Sequence, residues 1–477
     1  MEEGFDLAVV GAGPGGYTAA LKAAKRGMRV VMFEENEVGG TCLNAGCIPT
    51  KALLDMAKTY AHLKRAEYIT GASAAAFDVG AADAKKNAAV DKIRESLVKY
   101  LTSSKITIVK GRASLTGKNG VECGGKKYFA DNIIIASGSK HALYNIDGIE
   151  AAYSSDKLTR RFSAADEIIV VGGGAAGLEF AWLYRQIGRG VSVVMMEERP
   201  LVSCDKDISA QVALFLKKSG IRLYCGATVR SVAERGGGFC VVLEREGRAE
   251  EISGDMVVDA SGRRPNVDGM GLSLAGVRYD GGGIYTDENF ETDAKGVYAV
   301  GDAVRGNVRL AHKAMSDAEA AVSHILSGAS ARGSVVPSCV YLSPEISCAG
   351  MTQEACAAVG AEFAAAKSLM GANGKAVACD SDTGFFKVIF AKIDDGKKAS
   401  AGVEYMPERA NLYRLVGVHI FAEGSSEIIG AAAALIAMGA TADDILKTPF
   451  PHPSLSEAFR EAVALAKRKI SEASRQS

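Results

Sequence analysis

Two stretches of the chain share one order of apolar, glycine-rich and helical segments. In the first, an apolar run at residues 5–10 is followed by GAGPGG (residues 11–16), an alanine-rich helical stretch to Arg26 and a second apolar run at 28–34. In the second, an apolar run at 167–171 is followed by GGGAAG (172–177), a helical stretch to Ile187 and an apolar run at 191–196. Each order predicts a strand, a turn, a helix and a second strand, which is one βαβ unit.

The later apolar segments predict how these units are completed and where a third region begins. Residues 91–101 predict part of a helix and 106–128 short strands in an antiparallel insertion. Residues 133–138 and 256–262 each read as a strand followed by Ala-Ser-Gly, and 297–302 as a strand ending in Gly-Asp. From residue 335 the pattern changes to alternating strands, with a loop at 394–401 and an amphipathic helix at 455–470. We therefore predict an α/β protein with two related nucleotide-type domains and a third C-terminal domain.

Length and charge narrow the classes of partner. A chain of 477 residues predicts roughly three domains, at about 150 residues each. Because 56 basic residues balance 56 acidic ones, we expect neither a nucleic-acid nor a membrane partner. The start lacks the basic flank and apolar run of a secretory signal, and ten widely spread cysteines are typical of a reducing compartment. We expect a cytoplasmic protein.

The first glycine turn predicts a dinucleotide site. G-x-G-x-x-G between a strand and a helix lets backbone N–H groups approach a pyrophosphate at the positive end of the helix. Glu34 ends the next strand, 34 − 11 = 23 positions after Gly11, where it can accept hydrogen bonds from a ribose diol. Because of this acid, the alternative interpretation, a glycine turn that only packs the helix on the strand, is less favoured.

The second glycine turn has no acid at the matching position. Counting 23 positions from Gly172 gives Met195, and Glu197 follows two residues later, so the ribose contact stays open. An NADP site would need a base here, and the first is Arg199, so NADH is favoured over NADPH. Two dinucleotide folds in one chain suggest a flavin paired with a nicotinamide.

The sequence GGTCLNAGCIPTK (39–51) carries the two closest cysteines, Cys42 and Cys47, directly after Glu34. On an ideal helix, side chains five positions apart diverge by about 140°, so a disulfide needs a distorted turn, which Gly46 and Pro49 can supply. Two thiols without a second ligand pair would leave zinc half coordinated, so we expect no metal site.

This block resembles the active-site signature of the pyridine-nucleotide disulfide oxidoreductases (class I), flavoenzymes with a redox-active disulfide, and among them most resembles the dihydrolipoyl dehydrogenases. The resemblance continues through ASG (136–138), GRRP (262–265), GD (301–302), LAHK (310–313) and HPSLSE (452–457). It implies two Rossmann-like dinucleotide-binding domains, for FAD (1–148 and 277–334) and NAD(P) (149–276), and a C-terminal α+β dimerisation domain (335–477).

The resemblance also implies roles, position by position. Cys42 would exchange with the substrate sulfur and Cys47 would lie against the flavin, while Lys51 would lie beside the flavin and pair with Glu179. Asp302 would hold the ribityl chain. The FAD set is Gly11, Gly13, Pro14, Gly15, Gly16, Glu34, Gly40, Thr41, Lys51, Ala113, Ser137, Gly138, Asp302, Leu310, Ala311 and His312. The NAD set is Gly172, Gly174, Ala175, Ala176, Gly177, Glu179, Glu197, Val229 and Gly262.

His452 is the candidate catalytic base. Glu457 can orient its imidazole so that the other ring nitrogen takes and returns a thiol proton. Ser454-x-x-Glu457 is also a capping box for the final helix, so Glu457 has a structural alternative. In the family this histidine and glutamate reach the other subunit's cysteines, which implies a homodimer with shared active sites.

Four positions or segments of this sequence are compared with members of the family. Phe450 stands where dihydrolipoyl dehydrogenases usually carry a further histidine, and extra sequence at 394–411 has no assigned role. Leu21 stands where glutathione reductases place an arginine, and 467–477 lacks the cysteine pair of mercuric reductases.

The preferred hypothesis is oxidation of dihydrolipoamide by NAD+ through FAD and a Cys42–Cys47 disulfide, giving lipoamide and NADH. We expect no fused lipoyl domain, so the lipoyl group would come on another protein, of a 2-oxo-acid dehydrogenase or a glycine-cleavage system. Two alternatives stay open: an NAD(P)H-dependent reductase of another small disulfide, and a flavin-bearing binding or assembly subunit whose reductase activity is secondary.

Overall fold

The computed structural model describes residues 4–142, 144, 146–330, 333–393, 401–403, 406–409 and 411–476. In that part of the chain the strands are β1 (Gly4–Val10), β2 (Val30–Glu34), β3 (Thr107–Lys110), β4 (Ala113–Gly117), β5 (Gly120–Cys123), β6 (Lys126–Ile135), β7 (Ser139–His141), β8 (Tyr153–Ser154), β9 (Glu167–Val171), β10 (Gly190–Val194), β11 (Ile221–Tyr224), β12 (Ala227–Arg235), β13 (Gly238–Arg245), β14 (Arg248–Gly254), β15 (Met256–Asp259), β16 (Arg263–Pro265), β17 (Tyr279–Asp280), β18 (Gly283–Ile284), β19 (Val297–Ala299), β20 (Ser338–Val340), β21 (Ile346–Gly350), β22 (Glu362–Leu369), β23 (Phe385–Lys392) and β24 (Arg414–Phe421).

The helices of the same ranges are α1 (Pro14–Lys25), α2 (Gly40–Ala45), α3 (Cys47–Arg65), α4 (Val79–Ser103), α5 (Ser155–Arg160), α6 (Ala175–Gln186), α7 (Lys206–Lys218), α8 (Ala311–Ser327), α9 (Gln353–Ala358), α10 (Gly374–Ala378), α11 (Ser425–Ala437), α12 (Ala442–Leu446) and α13 (Glu457–Gln476). Within the described residues, no helix combines the length and apolar character needed to cross a bilayer.

The first sheet has the order β3-β2-β1-β6-β5-β4, with β19 beside β6. Strands β3, β2, β1, β6 and β19 run parallel, and β4, β5 and β6 form the antiparallel insertion that the sequence predicted. Helix α1 buries Ala19, Ala20 and Ala23 on one face, against α8 and the sheet. Because β19 follows the second unit in the chain, the first sheet is completed by a segment far from its start.

The second sheet has the order β11-β10-β9-β15-β8 and is parallel throughout. A separate antiparallel sheet, β12-β13-β14, packs against it through a cluster that includes Val194, Val241 and Val257. The predicted strand–turn–helix–strand of this unit is confirmed as β9, α6 and β10.

The third sheet is antiparallel, with the order β20-β21-β24-β23-β22, and helices α11 and α13 pack against it. All eight residues of β24 are buried, because elements cover both faces of the sheet. Cys348, Phe385 and Phe421 belong to one apolar cluster with residues of the second unit, such as Trp182 and Val212. The third sheet is therefore packed directly on the second unit.

Two helices have bounds that differ from the sequence prediction. Helix α4 begins at Val79, well before residue 91. Asp78 caps this helix, and its side chain accepts a hydrogen bond from the N–H of Ala81. The final helix runs from Glu457 to Gln476, two residues later at its start and six residues longer at its end than predicted. The loop expected at 394–401 lies almost wholly outside the described residues.

Candidate active site

A cavity of about 560 Å³ lies where the first unit, α6 and the segment before α8 meet. It is lined by both candidate cysteines, by Glu179, and by most of the predicted FAD set: Gly11, Gly13, Pro14, Gly15, Glu34, Gly40, Thr41, Lys51, Ala113, Ser137, Gly138, Asp302, Leu310 and Ala311. The folded chain thus brings together residues that the sequence spreads over 300 positions.

Glycines allow the backbone segments around this cavity to approach each other. Gly11 has φ +103°, and a Cβ there would lie 2.4 Å from the carbonyl oxygen of Ala136. A Cβ on Gly16 would lie 1.8 Å from the carbonyl oxygen of Gly11, and one on Gly40 would lie 2.7 Å from the Cα of Gly13. Since Gly13 precedes the first residue of α1, the positive end of that helix opens into the cradle.

Polar side chains of the cavity fit the rest of a flavin dinucleotide. The buried carboxylate of Glu34 accepts hydrogen bonds from the N–H of Ala12 (2.8 Å) and of Asn36 (2.7 Å), which fixes it at the end of β2. The Ser137 hydroxyl is buried and has no hydrogen-bond partner among the described residues. A glycine cradle at a helix start, a fixed acid and an unpartnered hydroxyl are what FAD requires.

A break between two helices brings the cysteines together. Cys42 lies in α2 and Cys47 is the first residue of α3, while Gly46 between them has a non-helical backbone. A Cβ on Gly46 would lie 3.0 Å from the carbonyl oxygen of Thr41. The tight turn that the sequence required of Gly46 is therefore present.

The two thiols have opposite pKa shifts. A hydrogen bond from Cys42, helped by the nearby Lys51, lowers the pKa of Cys47 to about 7 against the opposing effect of burial. The same hydrogen bond, with burial, raises the pKa of Cys42 well above its usual value. In the dithiol form the negative charge therefore rests on Cys47, and its place at the start of α3 favours that charge.

Lys51 and Glu179 form an ion pair across the two units. The Lys51 ammonium lies 3.0 and 2.9 Å from the carboxylate oxygens of Glu179, which is buried on α6. Tyr341 fixes this pair from the third region: its N–H donates to Glu179 (3.0 Å), and Lys51 lies 4.5 Å from its ring centroid. The cation is thus held beside Cys47.

Ser139 and Arg263 are site residues that the sequence reasoning missed. The Ser139 hydroxyl donates to the carboxylate of Asp302 (2.7 Å) and accepts from Nε of Arg263 (3.0 Å). Arg263 is also paired with Asp156 at 2.7 Å. The GRRP motif was a signal for Arg263, but only the fold shows that it reaches Asp302 through Ser139.

The predicted NAD set divides into an inner and an outer group. Ala175, Ala176 and Glu179 line the same cavity as the cysteines. The others lie outside it: Gly172, Gly174 and Gly177 around the second turn, Glu197 exposed after β10, Val229 buried on β12, and Gly262 directly before β16. The Arg199 guanidinium donates to the carbonyl oxygen of Val202 (3.3 Å).

Four other predicted residues do not line the cavity. Gly16 packs the start of α1 on its own turn, and the His312 ring contacts the carbonyl oxygen of Pro337 at 2.6 Å. His452 and Glu457 form a pair at 2.9 Å, between Nδ1 and Oε1, and the His452 side chain is 81% exposed. The second Glu457 oxygen accepts from the N–H of Ser454, which is half of the predicted capping box. These hydrogen bonds lower the pKa of Glu457.

Comparisons with known proteins agree with this geometry. Residues 5–318 match the model of the pyridine nucleotide-disulphide oxidoreductases, and residues 336–398 and 408–463 match the model of their dimerisation domain. The gap in the second match falls in the segment that the sequence singled out as extra.

Curated relatives match over almost the whole chain. Dihydrolipoyl dehydrogenase of Chlorobaculum parvum is 35% identical over 97% of both chains, and the mitochondrial dihydrolipoyl dehydrogenase of Dictyostelium discoideum is 32% identical over 96% of this chain and 93% of its own length. Among solved structures, the HOCl-induced flavoprotein disulfide reductase RclA of Escherichia coli has the same fold, with a TM-score of 0.84 at 24% identity over 97% of this chain and 99% of that one. The chain therefore belongs to the pyridine nucleotide-disulphide oxidoreductases and is a flavoprotein oxidoreductase that uses FAD and NAD(H).

Proposed function

We propose that this enzyme oxidises dihydrolipoamide with NAD+ through a disulfide between Cys42 and Cys47. The observation that carries the proposal is the thiol pair itself: two adjacent sulfurs in the cavity, with the pKa of one lowered to about 7 beside a fixed cation. Full-length similarity to dihydrolipoyl dehydrogenases supports the choice of substrate.

The dithiol step follows from the positions of the two sulfurs. A substrate thiolate attacks the Cys42 sulfur of the disulfide, and the Cys47 thiolate leaves, stabilised by Lys51 and the start of α3. The second substrate thiol then displaces Cys42 from the mixed disulfide, which completes the cyclic disulfide of lipoamide. FAD held in the cavity beside Cys47 would supply the hydride chemistry that links the resulting dithiol to NAD+.

The base for this step would come from a second copy of the chain. His452 uses Nδ1 for Glu457, which leaves Nε2 to accept the substrate's thiol proton. The pair is exposed and lies in the region that matches the dimerisation domain. The dimerisation domain supports a homodimer, and we infer that each active site combines the cysteines of one subunit with the His452 of the other.

The cofactor-binding roles assigned from the sequence form part of the proposal. The cavity would hold FAD, and Ala175, Ala176 and Glu179 would face the nicotinamide end of NAD. The sheets support the domain division at 1–148 with 277–334, 149–276 and 335–477, since β19 returns to the first sheet and β20 begins the third. A lipoyl-bearing protein in the cytoplasm would be the partner that presents the substrate.

An anaerobic titration of the purified holoenzyme tests the thiol assignment. Adding one equivalent of dihydrolipoamide or NADH should produce a long-wavelength band from a thiolate beside the oxidised flavin. Because the pKa of Cys47 is about 7, this band should be weak below pH 6 and grow as pH rises, with a midpoint near 7. Lys51→Met should move the midpoint up by about one pH unit, since it removes the cation. Lys64→Met, on an exposed turn of α3, should leave it unchanged.

Substrate comparison and subunit mixing test the remaining parts. We expect turnover of dihydrolipoamide to exceed that of glutathione disulfide and other small disulfides with NADH. Cys42→Ser and His452→Gln homodimers should both be inactive, whereas a heterodimer of the two variants regains one intact site. If NADH produces the long-wavelength band but dihydrolipoamide is not turned over, dihydrolipoamide is rejected as the substrate, and the pairing of the Cys47 thiolate with the flavin still stands. An inactive heterodimer would reject the shared site.

A further inference from the structure

A second pair of thiols lies outside the cavity, where the second unit meets the third sheet. Cys204 is in the connection between β10 and α7, and Cys348 is in the middle of β21. Cys204 packs against the apolar cluster that contains Cys348, and the two side chains are hydrogen-bonded although 348 − 204 = 144 positions separate them. Neither residue belongs to the reaction described above.

A buried ion pair fixes the backbone on both sides of this contact. Asp205, which is wholly buried, lies 2.8 and 2.9 Å from the ammonium of Lys387 on β23, and its carboxylate also accepts from the N–H of Gln353 (3.1 Å). On the sheet, His419 of β24 stands between Cys348 and Lys387 in register. The residue after Cys204 is thus tied to the sheet that carries Cys348.

The two thiols differ in exposure and in acidity. Cys204 is partly buried, two residues after Val202, which is 52% exposed, whereas Cys348 is buried in an apolar cluster. A hydrogen bond from Cys348 and the charge of Arg199 lower the pKa of Cys204, while the pKa of Cys348 is raised. A reagent from solvent therefore meets the more reactive sulfur first.

We propose that Cys204 and Cys348 form a second redox-active pair, which a hydroperoxide converts to a disulfide between the second unit and the third sheet. The Cys204 thiolate attacks the peroxide, taking one oxygen as a sulfenic acid while the O–O bond breaks and the other oxygen leaves as water or an alcohol. The Cys348 thiol then displaces water from the sulfenic acid and forms the S–S bond. Overall, two thiols are oxidised, and one hydroperoxide is reduced to water and an alcohol, or to two waters.

Oxidation would restrain the segment beside the second glycine turn. The N–H of Leu201, three residues before Cys204, donates to the carbonyl oxygen of Gly173 (3.1 Å). A disulfide at Cys204 would hold this segment against β21. The oxidised protein should therefore unfold at a higher temperature than the reduced protein, and dithiothreitol should reverse the difference.

Hydrogen peroxide, one equivalent per subunit, is the probe for this pair. The holoenzyme carries Cys42→Ser and Cys47→Ser so that the first pair does not contribute. We expect the loss of two titratable thiols per subunit after denaturation, and a peptide map with a Cys204–Cys348 link. With Cys348→Ala added, Cys204 should instead retain a sulfenic acid that dimedone traps. Cys204→Ser should abolish the reaction, whereas Cys240→Ser, on a buried strand of the same unit, should not change it.

Several outcomes would overturn the proposal. One is a protein that keeps all its thiols under these conditions, and another is a disulfide between different cysteines. Equal thiol loss in the Cys204→Ser variant would also overturn it. Because serine is close to cysteine in size and Cys204 is only partly buried, this replacement should not disturb folding, and far-UV circular dichroism of each variant checks this.

Discussion

The two glycine turns have almost the same backbone and different surroundings. Their first glycines have φ +103° and +121°, and a Cβ on either would lie 2.4 Å from a carbonyl oxygen, of Ala136 in one unit and Ala260 in the other. A Cβ on Gly16 or Gly177 would lie 1.8 or 2.0 Å from the first glycine's carbonyl oxygen. The motif therefore determines the path of the backbone in both units.

The two units differ in the side chain at the end of their second strand. In the first unit Glu34 accepts from the N–H of Ala12. In the second, the matching residues are Met195 and Gly173, and a Cβ on Gly173 would lie 2.5 Å from the Met195 sulfur. Met195 is buried, and its side chain fits only because residue 173 has no Cβ. Compared with Ala12 and Glu34 of the first unit, Gly173 and Met195 therefore differ as a pair. We therefore expect the backbone of each turn to hold a pyrophosphate, and this pair of positions to decide how the ribose is held.

The largest effect is expected from the acid of the first unit. Glu34→Gln should weaken FAD binding about 10- to 100-fold, because hydrogen bonds to a charged group contribute about 1.5–3 kcal/mol. Fluorescence titration of the apoprotein with FAD measures the dissociation constant. Glu67→Gln, at an exposed position after α3, is the control and should bind FAD as the parent does. Unchanged FAD affinity in Glu34→Gln would remove the functional difference between the two units.

A smaller effect is expected from Gly173→Ala. The added methyl group would collide with Met195, and overpacking of this kind costs about 1–3 kcal/mol, so the KM for NADH should rise about 10-fold while FAD content stays constant. Adding Met195→Ala should restore much of the affinity, because it removes the colliding atoms. If the single variant has the parent's KM, the pairing of Met195 with Gly173 has no part in NADH binding.

Sequence reasoning predicted the parts of this fold that local pattern encodes. Both glycine turns, the antiparallel insertion and the thiol pair with its glycine break were found where expected, because apolar runs, glycines and short spacings are local signals. Contacts between distant segments had no such signal. Nothing near Ser139 or Tyr341 indicated that they would fix Asp302 and Glu179, and Cys204 met Cys348 only through the packing of the third sheet on the second unit.

The smallest effect is expected from giving the second unit the side chains of the first. Met195→Glu with Gly173→Ala recreates the Ala12–Glu34 arrangement on a turn whose backbone already matches. A hydrogen bond to the ribose diol contributes about 1 kcal/mol, so the KM for NADH should fall about five-fold, while the new negative charge repels the 2′-phosphate of NADPH. The two changes should be non-additive, because Gly173→Ala collides with the side chain of Met195 and Met195→Glu removes that sulfur. Met196→Glu, one residue later and 64% exposed, adds the same charge without the geometry and should change neither KM. If it improves NADH binding as much as the double variant, charge near the site is sufficient, and the position at the strand end has no special role.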